Sequence, residues 1–164
     1  EFRRVLFRSK PVQNPHPPLL IGGGGPRVLT YAAQTADIVG INPSLHTGAI
    51  DATTTADITA DAYDRKVAIV RAAAGERMEH IELTTLVALV AATDRRNSFA
   101  EDVAPMFGMP AAGVLEAPLA LIGTTDEMCD DLQRRRDRWG ISYLVCQADA
   151  IDALAPVVER LTGS

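Results

Sequence analysis

Cysteine, aromatics and long apolar runs are all scarce in this chain, and each scarcity excludes something. Only Cys129 and Cys146 are present, far apart and without a CxxC partner. That usage fits a reducing cytoplasm and argues against a disulfide scaffold, a redox motif or a zinc ribbon. Aromatic residues make up 5% of the chain, so Ala, Val and Leu must build the core, as they do where helices pack closely on a sheet. No apolar run reaches the roughly 20 residues of a membrane span, and no nucleophile motif such as GxSxG occurs. The histidines, His16, His46 and His80, stand at no metal-ligand spacing and no carboxylate cluster completes a site, so no metal is expected.

What remains is ordinary globular composition, 47% hydrophobic and 23% charged over 164 residues, enough for one domain with a core. Net charge is −5 overall; Glu1 against Arg3, Arg4 and Arg8 makes residues 1–9 basic, and the rest carries −7. An acidic body of this kind argues against nucleic acid as a partner. The run Arg134, Arg135, Arg136, Arg138 reads as a solvated helix face, because Asp130, Asp131 and Asp137 interleave with it.

Punctuation by Gly and Pro divides the chain into alternating strands and helices. "PPLLI" and "DIVGI" read as buried strands, with a helix from Pro26 between them whose apolar face is Val28, Leu29, Ala32, Ala33 and Ala36. A second helix runs from Ala60 to Ala74, stopped by Gly75. "HIELTTLVALVAA" reads as one long third strand with Glu82 inside it, and Ser98 to Pro118 as a mixed segment with a short helix. Thr124 and Glu127 have capping-box spacing, opening a helix that Gly140 ends, with Trp139 set to pack on the sheet. "ISYLVC" is a fourth strand, and Ile151, Leu154, Val157, Val158 and Leu161 line a last helix. Four βα units imply a parallel sheet, about half of what closing a (β/α)8 barrel takes.

The stretch that carries chemistry is "LLIGGGGPRVLTYAA". Four glycines between a strand and a helix have two readings. One is a tight turn that lets helix pack on strand. The other is an anion site, in which backbone N–H groups approach a phosphate closely and the helix dipole assists. Across the loop Gly22–Gly25 and the first turn of the helix, Gly24, Gly25, Arg27 and Val28 are the better donors, since Pro26 has no N–H. The loop fits neither a dinucleotide fingerprint nor a Walker A loop, so its spacing leaves the ligand open.

"PHPPLLIGGGGPRVLTYAAQTADIVGI" and "APLALIGTTDEMCDDLQRRRDRWGISYLVCQADAIDALAPVV" resemble the luciferase-like monooxygenase superfamily, in its coenzyme F420-dependent branch, and the similarity runs from about Lys10 to Gly163. The resemblance implies the C-terminal half of a (β/α)8 barrel and hydride transfer between F420 and a small organic substrate, with FMN and oxygen chemistry as the alternative. It implies a cofactor-binding set of Gly23, Gly24, Gly25, Arg27 and Val28 for the phosphate tail, with Asn42 at the end of the next strand facing coenzyme or substrate. Leu45 falls where a sugar-phosphate branch has lysine, against that substrate. The acid/base residues fall on the other barrel half, so the fragment alone is expected to be inactive, and the intact parent is expected to be a cytoplasmic homodimer. A stand-alone half-barrel that binds a phosphorylated ligand without catalysis is the reading from a different class. His46 is a weaker candidate for touching substrate.

"EFRRVLFRS" translates GAG TTC AGA CGT GTG CTC TTC CGA TCT, which resembles the end of a short-read sequencing adapter. Residues 1–9 are therefore expected to be non-native and 10–164 to be the barrel segment. Sequencing the source DNA upstream of the Lys10 codon should show the frame continuing into four further βα units. A start codon directly before Lys10 would instead favour the stand-alone module.

Overall fold

The computed structural model describes residues 12–44 and 52–163, the side chains of Ala52 and Thr53 apart. Residues 1–9, Leu45 and His46 lie outside the described residues.

The first half alternates short strands with helices. Strand β1 (Leu20–Gly23) leads into α1 (Pro26–Thr35), and β2 (Ile38–Ile41) is followed by α2 (Ala52–Asp57) and α3 (Ala60–Ala74). Local chemistry sets the ends. Pro26 sits in the first turn of α1, where its missing N–H costs nothing. Thr59 caps α3 by accepting from the Ala62 N–H at 3.2 Å, and Gly75, at φ 55°, stops it as the sequence predicts. A 3-10 turn (Gly75–His80) then leads to β3 (Glu82–Val87), so His80 ends a turn and is not in the strand.

In the second half, β4 (Leu89–Ala92), α4 (Arg96–Phe107), α5 (Ala111–Glu116) and β5 (Ala120–Gly123) precede α6 (Thr125–Trp139), β6 (Ile141–Cys146) and α7 (Ile151–Leu161). The expected long third strand is thus two strands. The N–H groups of Ala88 and Leu89 both donate to the Leu119 carbonyl, at 2.8 and 3.0 Å, and turn the chain away to pair with β5. The segment after Ser98 holds two helices rather than one. The capping box at Thr124 and Glu127 forms as read.

β1, β2, β3 and β6 make one parallel sheet in that order, and β4 and β5 a parallel pair. Across the larger sheet Gly22 stands opposite Gly40, Gly40 opposite Thr84 and Thr84 opposite Tyr143. Val39, Ile41 and Leu83, alternate to that row, face the core with Leu29, Ala32 and Ala33 of α1 and Tyr63, Val67 and Val70 of α3. Alanine at these α1 positions lets α1 and α3 pack together over the sheet. A second cluster, with Val87, Leu121, Met128, Leu132, Leu154 and Val157, joins α6 and α7 to the smaller pair. Val28, Ile151 and Val158, expected on the buried stripes, are exposed instead. Each stripe is wider than the surface its helix covers. Among the described residues no helix is long and apolar enough to cross a membrane.

The arginine run on α6 is only partly a solvated face. Arg135 and Asp131 are each 5% exposed. Arg135 donates to the carbonyls of Pro118 (3.0 Å), Ala117 (3.3 Å) and Ala120, tying α6 to the start of β5, and burial lowers its pKa to about 10. Asp131 accepts from Arg96 at 2.8 Å and from Arg134. Trp139, expected on the sheet, is buried with contacts to α3, its ring 5.8 Å from that of Tyr63 and its N–H donating to Asp64 at 2.7 Å. Replacing Arg135→Met should strand those carbonyls and cost about 2–4 kcal/mol in a urea titration, whereas loss below ~0.5 kcal/mol would show that the α6–β5 junction does not need it.

Candidate functional site

The expected Gly22–Gly25 loop is shorter: Gly22 and Gly23 end β1, paired with Gly40 and Ile41, and Gly24 and Gly25 alone join it to α1, so the four glycines do different things. A Cβ on Gly24 would lie 2.4–2.6 Å from the backbone of Asn42, Pro43 and Ser44. One on Gly23 would lie 2.5 Å from Cγ1 of Val28, and one on Gly22 would lie 3.1 Å from the Asn42 amide nitrogen. For Gly24 and Gly23 the bare backbone is required by the chain's own packing, and at Gly22 a side chain would crowd the Asn42 amide. Gly25 differs, since its nearest neighbour would be Ser44 Oγ at 3.8 Å. It caps α1 with extended backbone and no side-chain hydrogen bond. Leu29 is the first helix donor, to Gly25 at 3.1 Å, so the N–H groups of Arg27 and Val28 precede the helix ladder. Arg27 is exposed and no acidic residue occupies the first turn of α1, leaving the positive end of the helix unopposed.

Asn42 lies just beyond β2, beside this loop. Its N–H donates to the Gly23 carbonyl at 3.0 Å. Its side-chain amide rests over Gly22 and Gly40, on the sheet face away from the helices. The structure therefore brings Gly23, Gly24, Gly25, Arg27, Val28 and Asn42 together at one rim of the sheet. Thr84 Oγ1, buried and next across from Gly40, has no hydrogen-bond partner.

Below that rim is a polar network that sequence reasoning missed. Lys66, buried on α3, donates to the carbonyls of Asn42 and Asp57, each at 2.9 Å, and pairs with the Asp57 carboxylate at 2.8 Å. The same carboxylate accepts the Ser44 N–H at 2.6 Å. Burial pulls the Lys66 ammonium below its usual range, partly offset by Asp57. Tyr63 and Thr85 both donate to the Ile41 carbonyl, at 3.2 and 2.9 Å, and burial pushes the Tyr63 phenol up to about 12. The one available signal was a lysine beside Tyr63, Val67 and Val70 on an apolar helix stripe.

The other candidates do not join this rim. His16 is exposed, its Nδ1 at 2.8 Å from the Pro17 carbonyl oxygen. His80 and Glu82 lie at the opposite end of β3, and Glu82 is exposed, accepting from Ser142 Oγ at 3.4 Å. Among the described residues no group of three or more His, Cys, Asp or Glu is placed to hold a metal. Grooves of about 490 and 1080 Å³ lie against α6, away from the glycines.

Gly24→Ala and Gly25→Ala separate the packing role from the open position. The first should cost about 1–3 kcal/mol by overpacking, the second under ~1 kcal/mol, both read by urea denaturation. Equal costs would contradict the assignment.

No protein-family model matches the chain, and no curated protein matches it. Solved structures do. A coenzyme F420-dependent tetrahydromethanopterin reductase from Methanopyrus kandleri superimposes with a TM-score of 0.57 at 14% identity, over 87% of this chain and 50% of that one. An F420-dependent secondary alcohol dehydrogenase, held with an F420–acetone adduct, gives 0.55 at 13% over 89% and 49%. The long-chain alkane monooxygenase LadA gives 0.55 at 13% over 89% and 41%. The chain spans about half the length of these proteins. At such identities the likeness shows the fold alone: α/β, with parallel strands in the sheet.

Proposed function

We propose that the chain is part of a luciferase-like (β/α)8 oxidoreductase that moves hydride between coenzyme F420 and a small organic molecule. FMN is the alternative cofactor. Solved proteins of this fold are named for both F420 and FMN chemistry. The observation that carries the proposal is the meeting of an open Gly25, an exposed Arg27 and the free end of α1 at one strand terminus. Such a rim suits a phosphate-bearing tail.

The donor set fits that group. Gly25 lacks only a Cβ that a ligand would otherwise meet, the N–H groups of Arg27 and Val28 offer two neutral donors, and the guanidinium adds a charged one. Gly23 and Gly24 act by letting Val28 and residues 42–44 close up, so that the donors are held in place. Asn42 presents its amide to the inner face, where it would orient a ring or a substrate. When bound, the deazaflavin supplies the hydride chemistry. Proton transfer is assigned to no residue here, and the acid/base groups are placed in the remainder of a longer parent, a cytoplasmic homodimer.

The test is direct titration of F420 and of FMN into the intact parent, followed by cofactor fluorescence. One of the two should bind, and Arg27→Ala should weaken it about 10-fold, the value of one exposed charged hydrogen bond. Failure of both cofactors to bind, or an Arg27→Ala affinity equal to that of the parent, would sink the proposal.

A further inference from the structure

Gly25 is the glycine of the run whose missing side chain leaves room, and one side chain borders that room. Among the described residues, the only heavy atom within 4 Å of where a Cβ on Gly25 would lie is the Ser44 hydroxyl oxygen, at 3.8 Å. A ligand atom resting against Gly25 therefore has this hydroxyl as its polar neighbour. Ser44 reaches the rim from the segment after β2 and is half-buried there.

Its backbone is held from both sides. The Ser44 N–H donates to the Asp57 carboxylate at 2.6 Å, and that carboxylate pairs with the buried Lys66 ammonium at 2.8 Å. On the other side, the Ser44 nitrogen lies 2.4 Å from where a Cβ on Gly24 would be, so the two backbones touch. A hydroxyl carried on backbone held in this way has less freedom to lose when a ligand takes its hydrogen bond. The Asp57 charge alone would oppose an anion nearby, and Lys66 neutralises it.

We propose that Ser44 is a further binding residue of this site, its O–H donating to the phosphate of the cofactor tail, with the Asp57–Lys66 pair positioning it. This role rests on the phosphate reading of the Gly25–Arg27 rim and adds a donor from outside the glycine run. Arg27 and Val28 offer N–H groups from α1, and Ser44 offers its hydroxyl from beyond β2. A phosphate at Gly25 is then held between two segments of the chain and not at a helix end alone.

Two probe pairs that differ in phosphate test this in the intact parent: FMN with riboflavin, and F420 with its phosphate-free deazaflavin core. For the pair that binds, Ser44→Ala should weaken the phosphate-bearing member about 10-fold, the loss expected of one hydrogen bond to a charged group. The phosphate-free member should bind as before. Ser44→Ala keeps the backbone bond to Asp57, so its urea midpoint should match the parent's. Asp57→Asn should weaken the same probe. The double variant should lose no more than about twofold beyond Ser44→Ala, because no hydroxyl is left to position.

If Ser44→Ala binds the phosphate-bearing probe as the parent does while Arg27→Ala weakens it, the role of Ser44 is overturned and the phosphate site stands. Equal losses for both members of a pair would also overturn it, by showing a disturbed loop in place of a phosphate contact. Additive losses in the double variant would overturn the assignment of Asp57. If Asp57→Asn loses its circular dichroism, Ser44→Thr serves instead; it keeps a hydroxyl, and binding no tighter than that of Ser44→Ala would overturn the proposal. If no probe binds, the phosphate reading itself fails and the role of Ser44 fails with it.

Discussion

One buried ammonium determines where the two strand ends of the rim lie. Lys66 comes up from α3 and meets two carbonyls and a carboxylate just beyond β2. An isolated charge at that depth would be costly; three acceptors make it tolerable. Because the Asp57 carboxylate also takes the Ser44 N–H, residues 42–44 have little freedom. Gly24 then lies against those residues with no room for a Cβ. The position of the glycine loop therefore follows from a charge on a different helix, through a loop that both contact. Tyr63 and Thr85 add a neutral anchor one residue earlier, at the Ile41 carbonyl.

This arrangement changes how the run of four glycines is understood. Absence of side chains is usually read as space for a ligand, but here most of it is space for the protein. Gly22, Gly23 and Gly24 admit Asn42, Val28 and the 42–44 backbone. Gly25 alone leaves its position open. The two readings of the motif are thus complementary, since close packing of three glycines is what holds the fourth, with the free end of α1, at a fixed height above the sheet.

What the sequence disclosed and what it concealed divide along one physical line. The ends of α3 and α6 were legible because Thr59, Gly75, Thr124 with Glu127, and Gly140 act on backbone within a turn of themselves. Strand β1, helix α1 and strand β2 followed from Gly and Pro punctuation and short apolar runs, although β1, expected to be buried, leaves Leu20 49% exposed. The break at Ala88 was not legible, because it depends on a carbonyl at Leu119, far along the chain. Nor was the burial of Arg135, whose acceptors at residues 117–120 become visible only when α6 folds back on the chain before it. Lys66 is the same case. A charged residue among apolar ones is ambiguous until its partners are known, and these are Asn42, just beyond β2, and Asp57 of α2. The exposure of Ile151 and Val158 was concealed for the converse reason: an apolar stripe tells which face wants cover, and not whether cover exists.

The face of the sheet turned away from the helices carries a gradient of side-chain size. Along the row that crosses all four strands, side-chain size rises from nothing at Gly22 and Gly40, through Thr84, to Tyr143. The bare backbone at Gly22 and Gly40 is what lets the Asn42 amide lie over β1 and β2. Beside it the Thr84 hydroxyl is buried without a partner, a cost that folds tolerate most readily near functional sites. Gly22, Gly40 and Thr84 all lie under the same rim as Gly25 and Arg27, so the Asn42 amide, the Thr84 hydroxyl and the N-terminal end of α1 meet at one corner of the fold.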